Sequence, residues 1–190
     1  MDTIRFYDSD PAEYSRRTFS ADISDSRDRF AALMPEGARI LDLGCGSGRD
    51  TVAFRGLGFS VEPVDGSEGM VSQAERNTGA PVRHLMFEDL DYTDEFDGVW
   101  ACSTLLHVPS DRLPYVLSLV RRALRDGGIF YMSFKKGDFE GERDGRHFTD
   151  MERSTLRVLA ESCGFSVLEL WESSELSRRQ TWVNALVRKS

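Results

Sequence analysis

The sequence predicts an α/β fold: a doubly wound, mostly parallel seven-stranded sheet with helices on both faces. Short apolar runs recur along the chain and end in glycine, polar or turn residues, as buried parallel strands do. Segments with helical spacing separate most of these runs, which is the alternation of a sheet built from right-handed crossovers. The last two runs follow each other without a helix. The predicted strands are residues 38–43, 59–65, 80–87, 96–102, 127–134, 165–171 and 180–187.

Two helices are predicted from capping residues and apolar spacing. Asp10 is a suitable N-cap, with Pro11 at the first helical position and Glu13 at the third, so a helix should precede the sheet. A second helix is expected over residues 111–125, because apolar side chains recur there on one face. Those side chains are Leu113, Val116, Leu117, Val120 and Leu124.

The later connections follow the same logic. Thr149 and Glu152 form a capping box that predicts a third helix, which Gly164 ends. The connection from Phe87 to Phe96 is too short for a crossover helix and predicts about one turn. The two closing strands predict an antiparallel hairpin at the sheet edge, joined by a polar loop at 172–179.

Composition limits the class of protein. The 190 residues suit one domain, 1–190, with an N-terminal extension over 1–36. An odd number of cysteines without CxxC spacing argues against a disulfide framework and against a metal site, and indicates a reducing compartment. Charged residues near the start and the lack of a long apolar run predict a cytoplasmic protein with no membrane segment. The formal charge of −8 makes nucleic acid an improbable partner.

The stretch ILDLGCGSGRD, residues 40–50, marks the predicted ligand site. Its glycines are Gly44, Gly46 and Gly48. They follow the first strand, where a doubly wound sheet binds its ligands. A nicotinamide-cofactor fingerprint would place a third glycine at Arg49. The loop amides and the following helix N-terminus attract an anion, and Asp42 suits an ammonium group, so the two ends of an amino acid fit here.

At these residues the sequence resembles class I S-adenosylmethionine-dependent methyltransferases, whose first motif is an acidic residue followed by GxGxG. The resemblance covers the chain from about Gly37 onward. It implies a Rossmann-like methyltransferase fold with strand order 3-2-1-4-5-7-6 and an antiparallel last strand. It also implies S-adenosyl-L-methionine as the cofactor, with Cys45 among the contacting loop residues. A structural turn without a ligand is the alternative.

Further cofactor contacts are expected along the next two strands. Asp65 ends the second strand, where its carboxylate can accept hydrogen bonds from both ribose hydroxyls; capping the next helix is the alternative. The resemblance implies that Gly66 and Met70 pack against the adenine, although methionine is commonly a core residue. It also implies that Asp89 and the Leu90 amide bond the adenine edge, unless Asp89 is merely a solvated loop carboxylate.

The reacting end of the cofactor is expected near the fourth strand. Cys102 and Ser103 end that strand and should lie under the sulfonium, although small buried residues give the same pattern. His107 follows in STLLHVP and is the candidate general base, because imidazole titrates in a useful range. A packed, hydrogen-bonded histidine is the alternative. Aligning the acceptor and excluding water are the chemistry required.

Residues 1–36 are predicted to form a helical lid over the cofactor. Tyr7 is expected on the acceptor side, and Tyr14 either hydrogen-bonds the cofactor carboxylate or packs on the sheet. Arg49 begins a helix, where cations are disfavoured, which suggests a ligand contact, with Asp50 as a neighbour that offsets its charge.

The segment 135–147 lies near the expected acceptor mouth. Its four acidic residues balance its four Lys and Arg residues, which excludes a nucleic-acid patch. Lys135 is among the cations on the acceptor side. We expect a solvated, mobile loop, with an anionic acceptor held by Arg146 or His147 as the alternative.

The predicted function is methyl transfer to a small-molecule acceptor. The stretch ACSTLLHVP lacks the Asn/Asp-Pro-Pro-Tyr/Phe motif of the nucleobase and protein-amide branch, and the Pro-Cys of cytosine-C5 enzymes is absent. The remaining pattern resembles bacterial small-molecule methyltransferases, including those grouped with tellurite-resistance proteins. The alternatives are an NAD(P)-dependent reductase, a cofactor-binding module without turnover and, less favoured, an RNA methyltransferase. The acceptor and the oligomeric state are not predicted.

Overall fold

The computed structural model describes residues 3–175 and 180–190. Its helices are α1 (Thr3–Ser9), α2 (Pro11–Thr18), α3 (Ser24–Ala31), α4 (Arg49–Gly56), α5 (Glu68–Thr78), α6 (Leu113–Ala123) and α7 (Arg153–Ser162). Its strands are β1 (Arg39–Leu43), β2 (Ser60–Asp65), β3 (Arg83–His84), β4 (Phe96–Ala101), β5 (Leu124–Lys135), β6 (Glu140–Arg143), β7 (Arg146–Thr149), β8 (Phe165–Glu175) and β9 (Gln180–Lys189). Short 3₁₀ turns cover Phe87–Asp89 and Leu105–His107.

Within these residues, one seven-stranded sheet has the order β3-β2-β1-β4-β5-β9-β8. Strands β1 to β5 pair in parallel, and β9 runs antiparallel to both β5 and β8. The predicted α/β class, the mostly parallel sheet and the closing hairpin are confirmed. The chain numbering differs from 3-2-1-4-5-7-6 because the separate pair β6–β7 precedes the last two strands of the sheet.

Apolar side chains cover both faces of the sheet, as the doubly wound fold requires. On one face, the predicted stripe of α6 is fully buried against the central strands. On the other face, Phe30 of α3 and Phe54 of α4 pack on Trp100 of β4. Trp100 also stacks on Tyr131 of β5, with ring centroids 3.9 Å apart. These rings anchor β4 and β5 below their carboxyl ends.

Several local expectations hold. The Asp10 side chain accepts a hydrogen bond from the Glu13 amide at 2.9 Å, and α2 begins at Pro11 as predicted. A 3₁₀ turn occupies the short connection before β4. Among the helices in residues 3–175 and 180–190, none combines the length and apolar character that a bilayer crossing requires.

Two predicted boundaries are wrong. The strand expected over 80–87 is only Arg83–His84, because Pro81 has no amide hydrogen to donate and the chain enters a 3₁₀ turn at Phe87. The helix expected after Thr149 begins at Arg153, with Glu152 as its N-cap. Thr149 instead ends β7, and its hydroxyl donates to the Val108 carbonyl at 2.8 Å.

The hairpin β6–β7 replaces the mobile loop expected over 135–147. Glu142 pairs with His147 in its antiparallel register. Asp144 and Gly145 both have positive φ, 50° and 76°, which is the backbone of a type I′ turn. Strand β8 extends into the loop expected over 172–179, and residues 176–179 lie outside the described ranges.

Candidate active site

A cavity of about 890 Å³ lies at the carboxyl ends of β1, β2, β4 and β5. This is the edge at which doubly wound sheets bind ligands, and the volume is at the upper end of small-molecule sites. Residues from α1, α2 and the β6–β7 hairpin complete its walls. The crevice that the sequence predicted as the ligand site is therefore open, not filled by side chains.

The glycines of the first loop differ in what a side chain at each position would meet. An added Cβ at Gly44 would lie 2.0 Å from the Thr104 hydroxyl, so protein packing excludes a side chain there. At Gly46 an added Cβ meets no atom within 4 Å, although its φ of +55° is also left-handed. Gly46 lines the cavity, whereas Gly48 lies against Thr78 and outside the lining. At Gly46 the main chain therefore faces the cavity with no side chain between them.

Asp65 holds this loop from the end of β2. Its carboxylate accepts hydrogen bonds from the Gly46 amide at 2.8 Å and from the Ser67 amide at 2.9 Å. Burial raises the pKa of Asp65 to about 6, although the two amides act in the opposite direction. The carboxylate lines the cavity beside Gly46, so it both orders the loop and offers oxygen atoms to a ligand.

Asp42 and Asp50 form a polar floor under the loop. Asp42 accepts a hydrogen bond from Thr51 at 2.5 Å, and burial with the nearby Asp50 carboxylate raises its pKa. Burial acts to raise the pKa of Asp50 as well, but Arg49 outweighs it and lowers that pKa. Arg49 lines the cavity, pairs with Asp50 at 2.9 Å and donates to the Thr18 carbonyl of α2. The Asp50 carboxylate thus offsets the positive charge that Arg49 brings to the start of the helix.

The expected adenine side is only partly reproduced. Gly66 and Met70 line the cavity, together with Met86 and Glu88. Asp89 and Leu90 do not. Asp89 is exposed to solvent, the Leu90 side chain is buried in the core, and the Leu90 amide bonds the Phe87 carbonyl at 3.5 Å. The 3₁₀ turn places these two positions outside the cavity lining. Glu88 is the carboxylate of this turn that lines the cavity.

The end of β4 forms the floor near the acceptor side. Cys102 and Ser103 both line the cavity, as expected. Ser103 has a φ of +55°, unusual for a residue with a side chain, and its amide donates to the Ser133 hydroxyl at 2.8 Å. Burial raises the pKa of the Cys102 thiol to about 11, so the thiol is protonated at neutral pH.

His107 has a defined tautomer. Its Nδ1 lies 2.7 Å from the His147 carbonyl, which only accepts, so Nδ1 carries the proton. Its Nε2 therefore accepts from the Tyr7 hydroxyl at 2.8 Å. Burial lowers the pKa of His107 to about 4, and Arg146 and Lys135 add to the effect. The imidazole is neutral at physiological pH, in contrast to the near-neutral titration expected from its residue type.

The helices α1 and α2 cover the cavity and are tied to it by hydrogen bonds. Asp8 accepts from the Ser67 hydroxyl and from the Gly69 amide at 3.0 Å, so α1 caps the N-terminus of α5. Thr3 accepts from the His147 amide. Tyr7 and Tyr14 line the cavity and pack edge to face, with ring centroids 5.0 Å apart. Residues of α1 and α2 thus form one wall of the cavity.

The hairpin and the end of β5 provide the remaining wall. Lys135, Arg146 and His147 line the cavity beside Phe148. Burial lowers the pKa of Lys135, and the Arg143 and Arg146 guanidinium groups lower it further. The sequence interpretation missed Phe148 and the hairpin that positions these cations. The dipeptide Asp144–Gly145 between two short alternating segments was the available signal.

The described residues have a Rossmann-like methyltransferase fold, with this cavity at the carboxyl ends of its parallel strands. Residues 40–128 match the family described as the methyltransferase domain. The resemblance to class I S-adenosylmethionine-dependent methyltransferases is confirmed, and these findings support S-adenosylmethionine as the cofactor. The finer resemblance to tellurite-resistance enzymes stays a prediction.

Two curated relatives match the chain at moderate identity. The 27-O-demethylrifamycin SV methyltransferase of Amycolatopsis mediterranei is 32% identical over 123 residues, which are 59% of this chain and 43% of that protein. The ubiquinone biosynthesis O-methyltransferase of Rhizobium rhizogenes is 34% identical over 113 residues, which are 56% of this chain and 45% of that protein. The matched regions thus span less than half the length of these relatives.

Solved structures match over most of the chain. The Burkholderia thailandensis 1,6-didemethyltoxoflavin-N1-methyltransferase, solved with 1,6-didemethyltoxoflavin and S-adenosylhomocysteine, is 25% identical with a TM-score of 0.71, over 95% of this chain and 90% of that one. A methyltransferase in complex with the Haloferax volcanii Trm112 activator is 19% identical with a TM-score of 0.81, over 98% and 97% of the two chains. The second likeness shows the fold alone.

Proposed function

We propose that this chain is an S-adenosylmethionine-dependent methyltransferase that acts on a small-molecule acceptor. The observation that carries the proposal is the open space at Gly46 beside the Asp65 carboxylate. Thr104 fills the space at Gly44, whereas the open space at Gly46 lies within the cavity, where a ligand can occupy it. Space left beside a bare main chain and a carboxylate suits a nucleoside.

Several residues that line the cavity fit this cofactor, whereas Asp89 and Leu90 lie outside the lining. Asp65 offers carboxylate oxygens to the ribose hydroxyls, and Asp42 offers its carboxylate to the ammonium group of the methionine part. Gly66 and Met70 provide an apolar surface for the adenine. When bound, S-adenosylmethionine supplies a methyl group already activated by its sulfonium.

The chain's own task is to orient the acceptor, exclude water and accept a proton. Orientation and proximity contribute about 7–11 kcal/mol in favourable cases. Side chains of α1 and α2 line one side of the cavity, which limits the access of water to it. His107 Nε2 accepts the hydrogen bond of the Tyr7 hydroxyl, so the proton moves by relay: Tyr7 takes the proton of the acceptor as it passes its own proton to Nε2.

A small acceptor is favoured by the position of the site, in a cavity partly covered by α1 and α2, and by the overall charge. The cavity is roofed by the N-terminal helices and does not form an open basic groove, and the formal charge is −8. The relatives named for rifamycin, ubiquinone and toxoflavin chemistry add support from their names alone. The cytoplasmic location, the single domain over 1–190 and the lid at 1–36 remain predictions.

Ligand-induced thermal stabilisation tests the proposal. S-Adenosylhomocysteine at a hundred times its dissociation constant should stabilise the protein by about 2.7 kcal/mol, and NADPH should not. Stabilisation by NADPH alone would support the reductase instead. Transfer of a radiolabelled methyl group to metabolites then separates an enzyme from a binding module, because a module binds the cofactor without labelling any acceptor.

A further inference from the structure

Three cationic side chains surround the Phe148 ring on the wall of the cavity that β5 and the β6–β7 hairpin form. The Lys135 ammonium lies 4.0 Å from the centroid of Phe148, and the Arg146 guanidinium lies 5.0 Å from it. Arg143 lies 4.8 Å away on the same ring. Phe148 is buried and lines the cavity together with Lys135 and Arg146. Positive charge is therefore concentrated around this ring, and Glu142 of the same hairpin also lines the cavity.

These cations differ in how their charge is balanced. Arg143 forms an ion pair with Asp150 at 2.5 Å and does not line the cavity. Among residues 3–175 and 180–190, no carboxylate lies within 4.0 Å of the Lys135 ammonium or the Arg146 guanidinium. The Arg146 Nε atom is buried and has no hydrogen-bond partner in the described structure. Both cavity-lining cations thus lack an anionic partner.

Partly buried like charges repel one another and lose hydration, and an anion offsets both costs. Two carboxylates that line the cavity, Asp65 and Asp42, form no ion pair with Lys135 or Arg146 in the described part of the chain. Asp65 accepts from two amides and Asp42 from Thr51. The guanidinium fork of Arg146 suits a planar or tetrahedral oxyanion group, and Lys135 adds a point charge beside it.

The cation pair also lies next to the candidate base. The ring centroids of His107 and Phe148 are 4.9 Å apart, and Arg146 lies 5.9 Å from the Tyr7 centroid. A small molecule whose anionic group is held by Lys135 and Arg146 therefore extends only a short distance before it reaches His107. Tyr7, His107 and Phe148 present aromatic surface to its body.

We propose that the methyl acceptor is a small anionic molecule whose carboxylate or phosphate oxygens pair with Lys135 and Arg146. This inference rests on the proposed function and adds the chemical class of the acceptor. The cations act as specificity determinants, because a neutral analogue leaves both of them unpaired. The acceptor atom then lies on the His107 side of the anionic group.

Calorimetry of the protein loaded with S-adenosylhomocysteine tests this inference. The probes are benzoate, phenyl phosphate and the neutral benzamide. We expect at least one anion to bind about tenfold more tightly than benzamide, which corresponds to about 1.4 kcal/mol. The tighter anion distinguishes a carboxylate acceptor from a phosphate acceptor. If neither anion is preferred over benzamide, the inference is wrong.

Variants connect the preference to the two cations. Lys135→Gln and Arg146→Gln should each reduce anion affinity about tenfold, whereas Arg146→Lys should keep most of it. Arg16→Gln is the control, because that side chain is 76% exposed and pairs with Glu13 on α2. S-Adenosylhomocysteine affinity and the circular dichroism spectrum should be unchanged in all four variants.

Two results separate the inference from the proposed function. If wild-type protein binds no S-adenosylhomocysteine, the proposed function fails, whatever the anions do. If S-adenosylhomocysteine affinity falls in Arg146→Gln while the anion preference persists, the cations serve the cofactor and the inference is overturned. Loss of anion preference with cofactor affinity retained supports it.

Discussion

The Tyr7 hydroxyl donates a 2.8 Å hydrogen bond to His107 Nε2, although the residues are 100 positions apart. The bond joins the first helix to the turn after β4, and the Nδ1–H of the same imidazole is fixed by the His147 carbonyl. The helix that roofs the cavity is therefore connected directly to the candidate base. The position of this helix and the orientation of the imidazole are therefore linked.

Tyr7→Phe should leave a buried acceptor on His107 unpaired. We expect a loss of about 1–2 kcal/mol in the free energy of unfolding, measured by denaturant titration. A double-mutant cycle with His107→Gln should give a coupling energy above about 0.5 kcal/mol. Additive effects of the two substitutions would show that the hydrogen bond does not hold the helix.

The low pKa of His107 predicts a pH dependence of stability. The unfolded histidine titrates near 6.5 and the folded one near 4, so the unfolded chain takes up a proton first as the pH falls. The effect of His107 on stability is absent above about pH 6.5, and it destabilises the fold increasingly as the pH falls toward 4. Relative to its value at pH 7, wild-type stability should fall at pH 5 by about 2 kcal/mol more than that of His107→Gln.

Denaturant titrations of both chains at pH 7 and pH 5 provide the measurement. Asp42 and Asp65 also titrate in this range, but they are present in both chains and their contributions cancel in the difference. Equal pH dependence in the two chains would mean that the folded imidazole titrates normally.

Alanine at Gly44 and at Gly46 should have different effects. At Gly44 the new Cβ would overlap the Thr104 hydroxyl and the φ of +69° is unfavourable, so we expect a loss of about 3 kcal/mol in stability. At Gly46 only the backbone cost of about 1 kcal/mol applies, but the methyl group would enter the cavity. Thermal unfolding and S-adenosylhomocysteine titration separate the two effects. A Gly46→Ala protein with full affinity would contradict a ligand at this main chain.

The class of fold was predictable from the sequence because its signals are local. The apolar runs ending at Leu43 and Asp65 and the buried stripe of α6 depend on residue spacing alone. The glycine loop and Asp65 were predictable for the same reason. These features place the end of the cavity that is proposed to hold the cofactor.

The acceptor end was less predictable because it depends on contacts between distant segments. His107 was expected to titrate near neutrality, and only its burial under Tyr7 shows that it does not. Thr149 has the residue pattern of a helix cap, yet Val108 engages its hydroxyl within a strand. The dipeptide Asp144–Gly145 was a local signal for a hairpin turn, although the segment was expected to be a loop.

Glu88 and Asp89 offer a direct test of the adenine side. The sequence resemblance implies a contact by Asp89, whereas Glu88 lines the cavity and Asp89 faces solvent. Glu88→Ala should weaken S-adenosylhomocysteine binding about tenfold, the effect of removing a hydrogen bond to a charged group, and Asp89→Ala should not change it. Calorimetric titration of both variants decides between them, and weaker binding by Asp89→Ala alone would reverse the assignment.

The most direct test of the account is the affinity for S-adenosylhomocysteine of wild-type protein and Asp65→Asn, titrated calorimetrically at pH 8 and pH 5. Because Asp65 titrates at about 6, it is ionised at pH 8 and mostly protonated at pH 5. The account predicts that wild-type protein binds at least tenfold more tightly than Asp65→Asn at pH 8 and that this advantage largely disappears at pH 5. Equal affinity of the two proteins at pH 8 would contradict a nucleoside held by this carboxylate.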